Sequence, residues 1–120
     1  MISLEQKISN WISKYLENHK LQSLVIGISG GIDSAVTSTL CAMTGSKTYV
    51  VIMPIHQKSD ETDRGIDHCK WLISKFPNVE MIKVDLTESF EQFKINFSNE
   101  YDNKLALANT RARLRMTALY

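Results

Sequence analysis

Apolar residues in the first twenty positions recur at helical spacing: Leu4, Ile8, Trp11, Ile12, Tyr15 and Leu16 share one face, and Ser3 and Gln6 stand at capping-box spacing. The pattern predicts an amphipathic helix that packs on the domain or on a second subunit. It then gives way to a short apolar run, Leu24 to Ile28, which reads as a strand, and returns at Ala35, Val36, Leu40 and Met43 to the stripe of a helix ending near Gly45. Thr48 to Met53 is a β-branched and aromatic run suited to burial on both faces of a parallel sheet, and Pro54 ends it. Ser59 is placed to cap a third helix, with Ile66, Cys69, Leu72, Ile73 and Phe76 on its buried face and Pro77 and Asn78 stopping it. A third strand is expected at Met81 to Val84, and a further helical segment from about Thr87 to Phe97. Such alternation predicts an α/β fold, a three-layer, doubly wound parallel sheet with right-handed crossovers. Ligands in these sheets bind beyond the carboxyl ends of the strands, which places residues 29–34, residues 54–58 and Asp85 along one edge.

Between the first strand and the second helix stand Ser29, Gly30, Gly31, Ile32, Asp33 and Ser34. The first turn of a helix leaves N–H groups without intrahelical partners, and the aligned peptide dipoles add positive potential there, so an anion meets amides already aimed at it. Gly30 and Gly31 tolerate positive φ, which lets consecutive amides converge on one phosphate, and Ser29 and Ser34 add hydroxyls at its edges. A bare carboxylate beside phosphate is repulsive, so Asp33 fits the loop best with Mg²⁺ held between the two. No lysine follows in the manner of Gly-x-x-x-x-Gly-Lys-Ser/Thr, and Gly-x-Gly-x-x-Gly is absent, which excludes both common nucleotide loops. The ordinary alternative is a Gly-Gly turn with Asp33 as a first-turn carboxylate favoured by the helix dipole.

Ser-Gly-Gly-x-Asp-Ser resembles the pyrophosphate loop of the N-type ATP pyrophosphatases, the adenine nucleotide alpha-hydrolase-like, Rossmann-like group that includes NAD, GMP and asparagine synthetases and tRNA-thiolating enzymes. A second segment, Ala108 to Met116, is similar to the Asn-x-x-Ala-Arg-x-Arg-Met stretch of NAD synthetases through Asn109, Ala112, Arg113, Arg115 and Met116, with Ala108 where many members carry glycine. Two segments in the right order make the ammonia-dependent NAD synthetases the leading resemblance. It implies ATP as co-substrate, bound by Gly27, Ile28, Ser29, Gly30, Gly31, Ile32, Asp33, Ser34 and Met53. Ser29, Asp33 and Ser34 are the implied catalytic set, Asp33 the Mg²⁺ ligand and Arg113 the contact to deamido-NAD. Deamido-NAD would attack ATP, release diphosphate, and yield NAD and AMP when ammonia displaces the adenylate. A homodimer is implied as well. For Met53 core packing is an equal alternative. Arg111 and Arg115 share one side of the expected helix and Arg113 points nearly opposite, so the first two read as structural partners and Arg113 as the ligand contact, with a solvated face as the ordinary alternative for all three.

At 120 residues the chain is one domain, and a formal charge of +1 offers no basic field for nucleic acid and no charge block for a membrane surface. No stretch is long and apolar enough to span a bilayer and no signal-type start is present, so a cytoplasmic location is expected. Cys41 and Cys69 lie in helical patterns and read as buried small hydrophobes. His56 sits on the ligand edge as an ordinary loop residue unless it meets phosphate or substrate; Asp85 reads as a strand-end cap; His19 and His68 carry no signal. The expectation is a single NAD synthetase-type ATP-pyrophosphatase domain over residues 1–120, the N-terminal part of a longer enzyme, with no glutaminase domain before it and an open apolar edge on the first strand. The alternatives are another member of the same group, GMP synthetase-like or tRNA-thiolating, and a nucleotide-binding fragment without turnover.

Overall fold

Strands β1 (Ser23–Ile28), β2 (Lys47–Ile52) and β3 (Val79–Lys83) pair in parallel in the order β1-β2-β3. The computed structural model describes residues 1–56, 59–96 and 104–120, without the side chains of Ser59, Lys104 and Leu105. Helix α1 (Leu4–Asn18) precedes the sheet, α2 (Ile32–Ala42) and α3 (Ser59–Lys75) connect its strands, and α4 (Thr87–Ile95) and α5 (Lys104–Leu119) follow it. Gln57, Lys58 and Phe97, which the sequence reading assigned to the ligand edge and the fourth helix, lie outside the described residues, as does the capping hydroxyl of Ser59.

The apolar run of β2 divides its side chains between two cores, as the twofold alternation of a strand requires. Val50 and Ile52 pack with Ile28, Ala42, Cys69, Leu72 and Val79 under α2 and α3. Val51 and Met53 pack with Ile55, Leu86 and Phe90 under α4, and with Leu107, Leu114 and Leu119 of α5. Helices therefore cover both faces of a parallel sheet, in the three-layer Rossmann-like arrangement. Both cysteines are buried and free, and burial pushes the Cys69 thiol up to about 11 and raises that of Cys41.

Two helices bury only part of the face their apolar spacing predicts. In α2, Ser38, Cys41 and Ala42 are buried while Val36 is half exposed. The buried hydroxyl of Ser38 donates to the carbonyl of Ser34 at 2.7 Å and meets Nε2 of His68 on α3 at 2.9 Å, so a polar contact between helices occupies a place the pattern gives to valine. In α1 the Ser3 cap forms, with the Gln6 N–H donating to Ser3 Oγ at 3.2 Å, but Leu16 and Ser9 are the buried residues. Leu4, Ile8, Trp11 and Tyr15 remain exposed, and the rings of Trp11, Tyr15 and His19 stack along the helix.

The far side of β1 has no partner strand among the described residues, and Val25 beside it is half exposed. The radius of gyration is 16.5 Å, against about 13.6 Å for a compact chain of this length. Apolar surface on α1 and at this edge is thus spread over an extended body. At the opposite end the sheet is well tied: the Asn78 side-chain amide donates to the carbonyls of Ala42 at 2.9 Å and Ser46 at 2.8 Å, joining the α2–β2 and α3–β3 connections. Asn78→Ala is expected to cost about 2 kcal/mol in urea unfolding, because two carbonyls lose a partly buried donor at once. A cost under about 0.5 kcal/mol would mean that water replaces the amide freely.

Candidate functional site: an open-amide loop beside a cavity

Residues Ile28, Ile52 and Lys83 are in register across the sheet, so the chain leaves all three strands at one level. From that edge emerge the loop of residues 29–31, Met53 and its successors, and Asp85. The order of elements thus gathers on one edge the segments that sequence reasoning assigned to it.

The loop is preformed by its own serines. The Ser29 N–H donates to Ser34 Oγ at 3.1 Å, the Gly31 N–H donates to Ser29 Oγ at 3.2 Å, and the Ser34 hydroxyl donates to the Gly31 carbonyl at 3.3 Å. The two hydroxyl oxygens are 3.1 Å apart. Two of the loop amides are therefore engaged within the turn. The N–H groups of Gly30, Ile32, Asp33 and Ser34 have no hydrogen-bond partner among the described residues, and the first regular helical bond is Ala35 N–H to Gly31 O at 3.3 Å. Ser29, Gly31, Ile32 and Asp33 are exposed. An anion reaching this turn meets unpaired amides at the positive end of α2.

Gly30 holds φ +88°, and a Cβ built on it would lie 2.6 Å from the carbonyl oxygen of Glu61. Gly65 of α3 faces Gly30 N and Ile28, where an added Cβ would make ordinary contacts at 3.7 and 3.4 Å. The loop is thus pressed between the start of α2 and the first turns of α3, and only glycine fits at position 30.

Beside the loop, on the other face of the sheet, a cavity of about 320 Å³ is lined by Gly27, Ile28, Ser29, Met53, Ala112, Arg115, Met116 and Leu119. Ser29 belongs to both loop and cavity. Arg115 reaches across from α5 and donates Nε–H to the Met53 carbonyl at 2.9 Å. Burial, and then the charge of Arg111, lower the Arg115 pKa below its ordinary value, while Glu61 opposes the shift. Arg111 lies over the Phe90 ring at 5.6 Å, a cation–π contact. Arg115 therefore ties α5 to the exit of β2, and Arg111 ties it to α4. Arg113 is exposed, and its side chain has no ion pair or hydrogen bond among the described residues. It does not line this cavity.

Met53 is buried and packs in the second core, the packing reading of it, and it also lines the cavity. Asp85 accepts from the Thr87 N–H at 2.9 Å at the start of α4, the capping role read for it, and Thr87 holds its carboxyl below the usual range. His56 is not alone: its ring is 2.6 Å from the Glu91 carboxylate, which lies 3.7 Å from the Lys94 ammonium. That partner is invisible in sequence because 35 positions separate the two residues. Arg115 as a cavity wall and the seat of Gly65 against Gly30 were likewise not foreseen. The spacing of Arg111 and Arg115 with Leu107 and Leu114 on one helix face was the signal that could have found the first.

Among the described residues no group of three or more His, Cys, Asp or Glu side chains could enclose a metal ion. Asp33 presents an exposed carboxylate with no side-chain partner among them, next to the open amides. A hard cation fits there with one protein carboxylate, its remaining ligands coming from phosphate oxygens and water, as Mg²⁺ commonly accepts.

The family model for NAD synthase matches residues 4–120. The chain is 40% identical over 113 residues to an NH(3)-dependent NAD(+) synthetase of Mesoplasma florum, covering 92% of this chain and 44% of that one. It is 31% identical over 125 residues to the enzyme of the same name from Methanocaldococcus jannaschii, covering 100% of this chain and 46% of the relative. Among solved structures, an NMN synthetase from Francisella tularensis superposes with a TM-score of 0.86 at 31% identity, over 97% of this chain and 47% of that one. An NH3-dependent NAD synthetase from Campylobacter jejuni gives 0.82 at 28% identity, over 97% and 48%. The chain spans about half the length of the curated relatives it matches. With a serine-braced, glycine-rich loop at the head of its first strand–helix unit and a family match across nearly all its residues, the chain belongs to the NAD synthase family.

Proposed function

We propose that this chain forms the ATP-binding part of an enzyme that amidates deamido-NAD with ammonia, giving NAD, AMP and diphosphate through an adenylated intermediate. The observation that supports it most directly is the continuity of the open-amide loop with the cavity through Ser29. About 320 Å³ is at the small end of ligand sites, suited to a nucleoside while a polyphosphate tail extends along the loop. In the proposed reaction a carboxylate oxygen of deamido-NAD attacks the α-phosphorus and diphosphate departs. Ammonia then attacks the carboxyl carbon and AMP leaves. The amides of Gly30, Ile32, Asp33 and Ser34 hold the departing diphosphate where its charge develops, and need no rearrangement to do so. Ser29 and Ser34 exchange their mutual hydrogen bonds for bonds to phosphate oxygens. A bound Mg²⁺ supplies charge neutralisation to the polyphosphate, with Asp33 as its protein ligand. Arg113, outside the ATP cavity, is left for the phosphate or carboxylate groups of deamido-NAD.

A homodimer in the cytoplasm completes the proposal. The exposed stripe of Leu4, Ile8, Trp11 and Tyr15 supports contact with further polypeptide, and no helix among the described residues is long and apolar enough to cross a membrane. The likeness to the Francisella tularensis NMN synthetase favours a second reading, in which the amidated substrate is a mononucleotide.

Calorimetry of the chain with Mg-ATP, and AMP release with ammonia and either deamido-NAD or nicotinate mononucleotide, test these readings. Saturable heat with Mg-ATP is the expected result; its absence at millimolar nucleotide overturns the site. Arg113→Ala is expected to weaken deamido-NAD binding roughly tenfold and leave ATP binding unchanged. Equal losses of both would indicate damage to the fold.

A further inference from the structure

Met53, at the exit of β2, lines the cavity, and Pro54, Ile55 and His56 follow it. The conformation of this segment is set by contacts on two sides. On the α5 side the Met53 carbonyl accepts from Arg115 at 2.9 Å. On the α4 side the Pro54 carbonyl accepts from the Leu86 N–H at 2.9 Å, and the His56 N–H donates to Thr87 Oγ1 at 3.2 Å. The His56 ring adds a third tie, and this one runs between side chains. Since a carboxylate only accepts, Nε2 of His56 carries the proton it shares with Glu91 Oε1 at 2.6 Å. The ring also lies edge-on to Phe90, with centroids 6.4 Å apart.

His56 holds φ +48°, a left-handed conformation that a non-glycine residue adopts at a cost. Three contacts hold the residue there: the backbone bond to Thr87, the short ring bond to Glu91 and the edge contact with Phe90. The phosphate loop itself is braced separately, by Ser29 and Ser34 and by the seat of α3 on Gly30.

From this division of supports we infer that His56 and Glu91 are positioning residues for the nucleoside end of the nucleotide site. They hold the β2 exit in the shape that places Met53 and its carbonyl against the base, while contributing nothing to the grip on phosphate. The inference rests on the ATP-site reading above.

The test uses the full chain and three probes: AMP, inorganic pyrophosphate and Mg-ATP, each titrated calorimetrically. His56→Asn removes the ring but keeps a residue that tolerates positive φ, and Glu91→Gln removes the charge from the half-exposed partner with little risk to folding. Both variants are expected to weaken AMP about five- to tenfold and leave pyrophosphate within about twofold of the original chain. Glu91→Asp, which keeps the carboxylate, is expected to recover part of the AMP affinity. Unchanged AMP binding in both variants overturns the inference, and so does a parallel loss of AMP and pyrophosphate, which is what general destabilisation produces. If the unaltered chain binds none of the probes, the ATP-site reading itself fails and this one with it.

Discussion

Gly30→Ala is expected to lose measurable ATP binding and to lower the melting temperature by on the order of 10 °C. Two effects add. At φ +88° an L side chain costs roughly 1 kcal/mol of backbone strain. The new Cβ would also lie 2.6 Å from the Glu61 carbonyl oxygen, and that atom belongs to helix backbone, so it cannot yield as the tip of a flexible side chain would. Either α3 moves off the loop, abandoning the contacts of Gly65 with Ile28 and Gly30, or the loop flattens and its amides diverge. Overpacking of this kind commonly costs a further 1–3 kcal/mol. Gly45 is the internal control: its φ is +79°, yet a Cβ there meets nothing within 4 Å. Gly45→Ala should therefore show only the conformational part, about 1 kcal/mol, and no change in nucleotide binding. If the two variants melt together, contact with α3 is not what position 30 requires glycine for. Scanning calorimetry on both, with a nucleotide titration beside it, decides.

How much of this could be read from the sequence follows the range of the interactions involved. The strands were legible because the end of β2 is an unbroken apolar run buried on both faces, and Val50 to Met53 divide between two cores as that requires. The loop was legible because its glycines, serines and aspartate are contiguous. The cap at Ser3 and the turn at Asp85 were legible too, since each closes a hydrogen bond within three residues. What escaped depends on pairs far apart in the chain. Ser38 is buried where Val36 was expected because His68, thirty positions on, supplies its partner. Gly65 looks like an ordinary helical glycine until Gly30 is found against it. The α1 stripe shows the limit of periodicity: the spacing identifies an apolar face, but only Leu16 and Ser9 of that helix are buried in this chain.

Asp33→Asn carries the second large effect, and its sign should depend on the metal. In the proposed site the carboxylate is tolerable beside polyphosphate only when a divalent cation lies between them. With Mg²⁺ present, the variant loses a charged ligand and is expected to bind ATP on the order of a hundredfold more weakly. With the metal chelated, the original chain places a bare carboxylate among phosphate oxygens. Two unit charges about 4 Å apart repel by roughly 1–4 kcal/mol at a protein surface. Asparagine removes that repulsion and can donate, so under chelation the variant should bind ATP better than the original chain. Stability should change by less than about 0.5 kcal/mol, because the side chain is exposed and only a first-turn dipole contact is lost. The crossing of the two affinities along a Mg²⁺ titration is the signature of a shared cation. A constant ratio between variant and original, whatever the Mg²⁺ concentration, would instead leave Asp33 as a first-turn carboxylate, and the metal in the proposed reaction would need another holder.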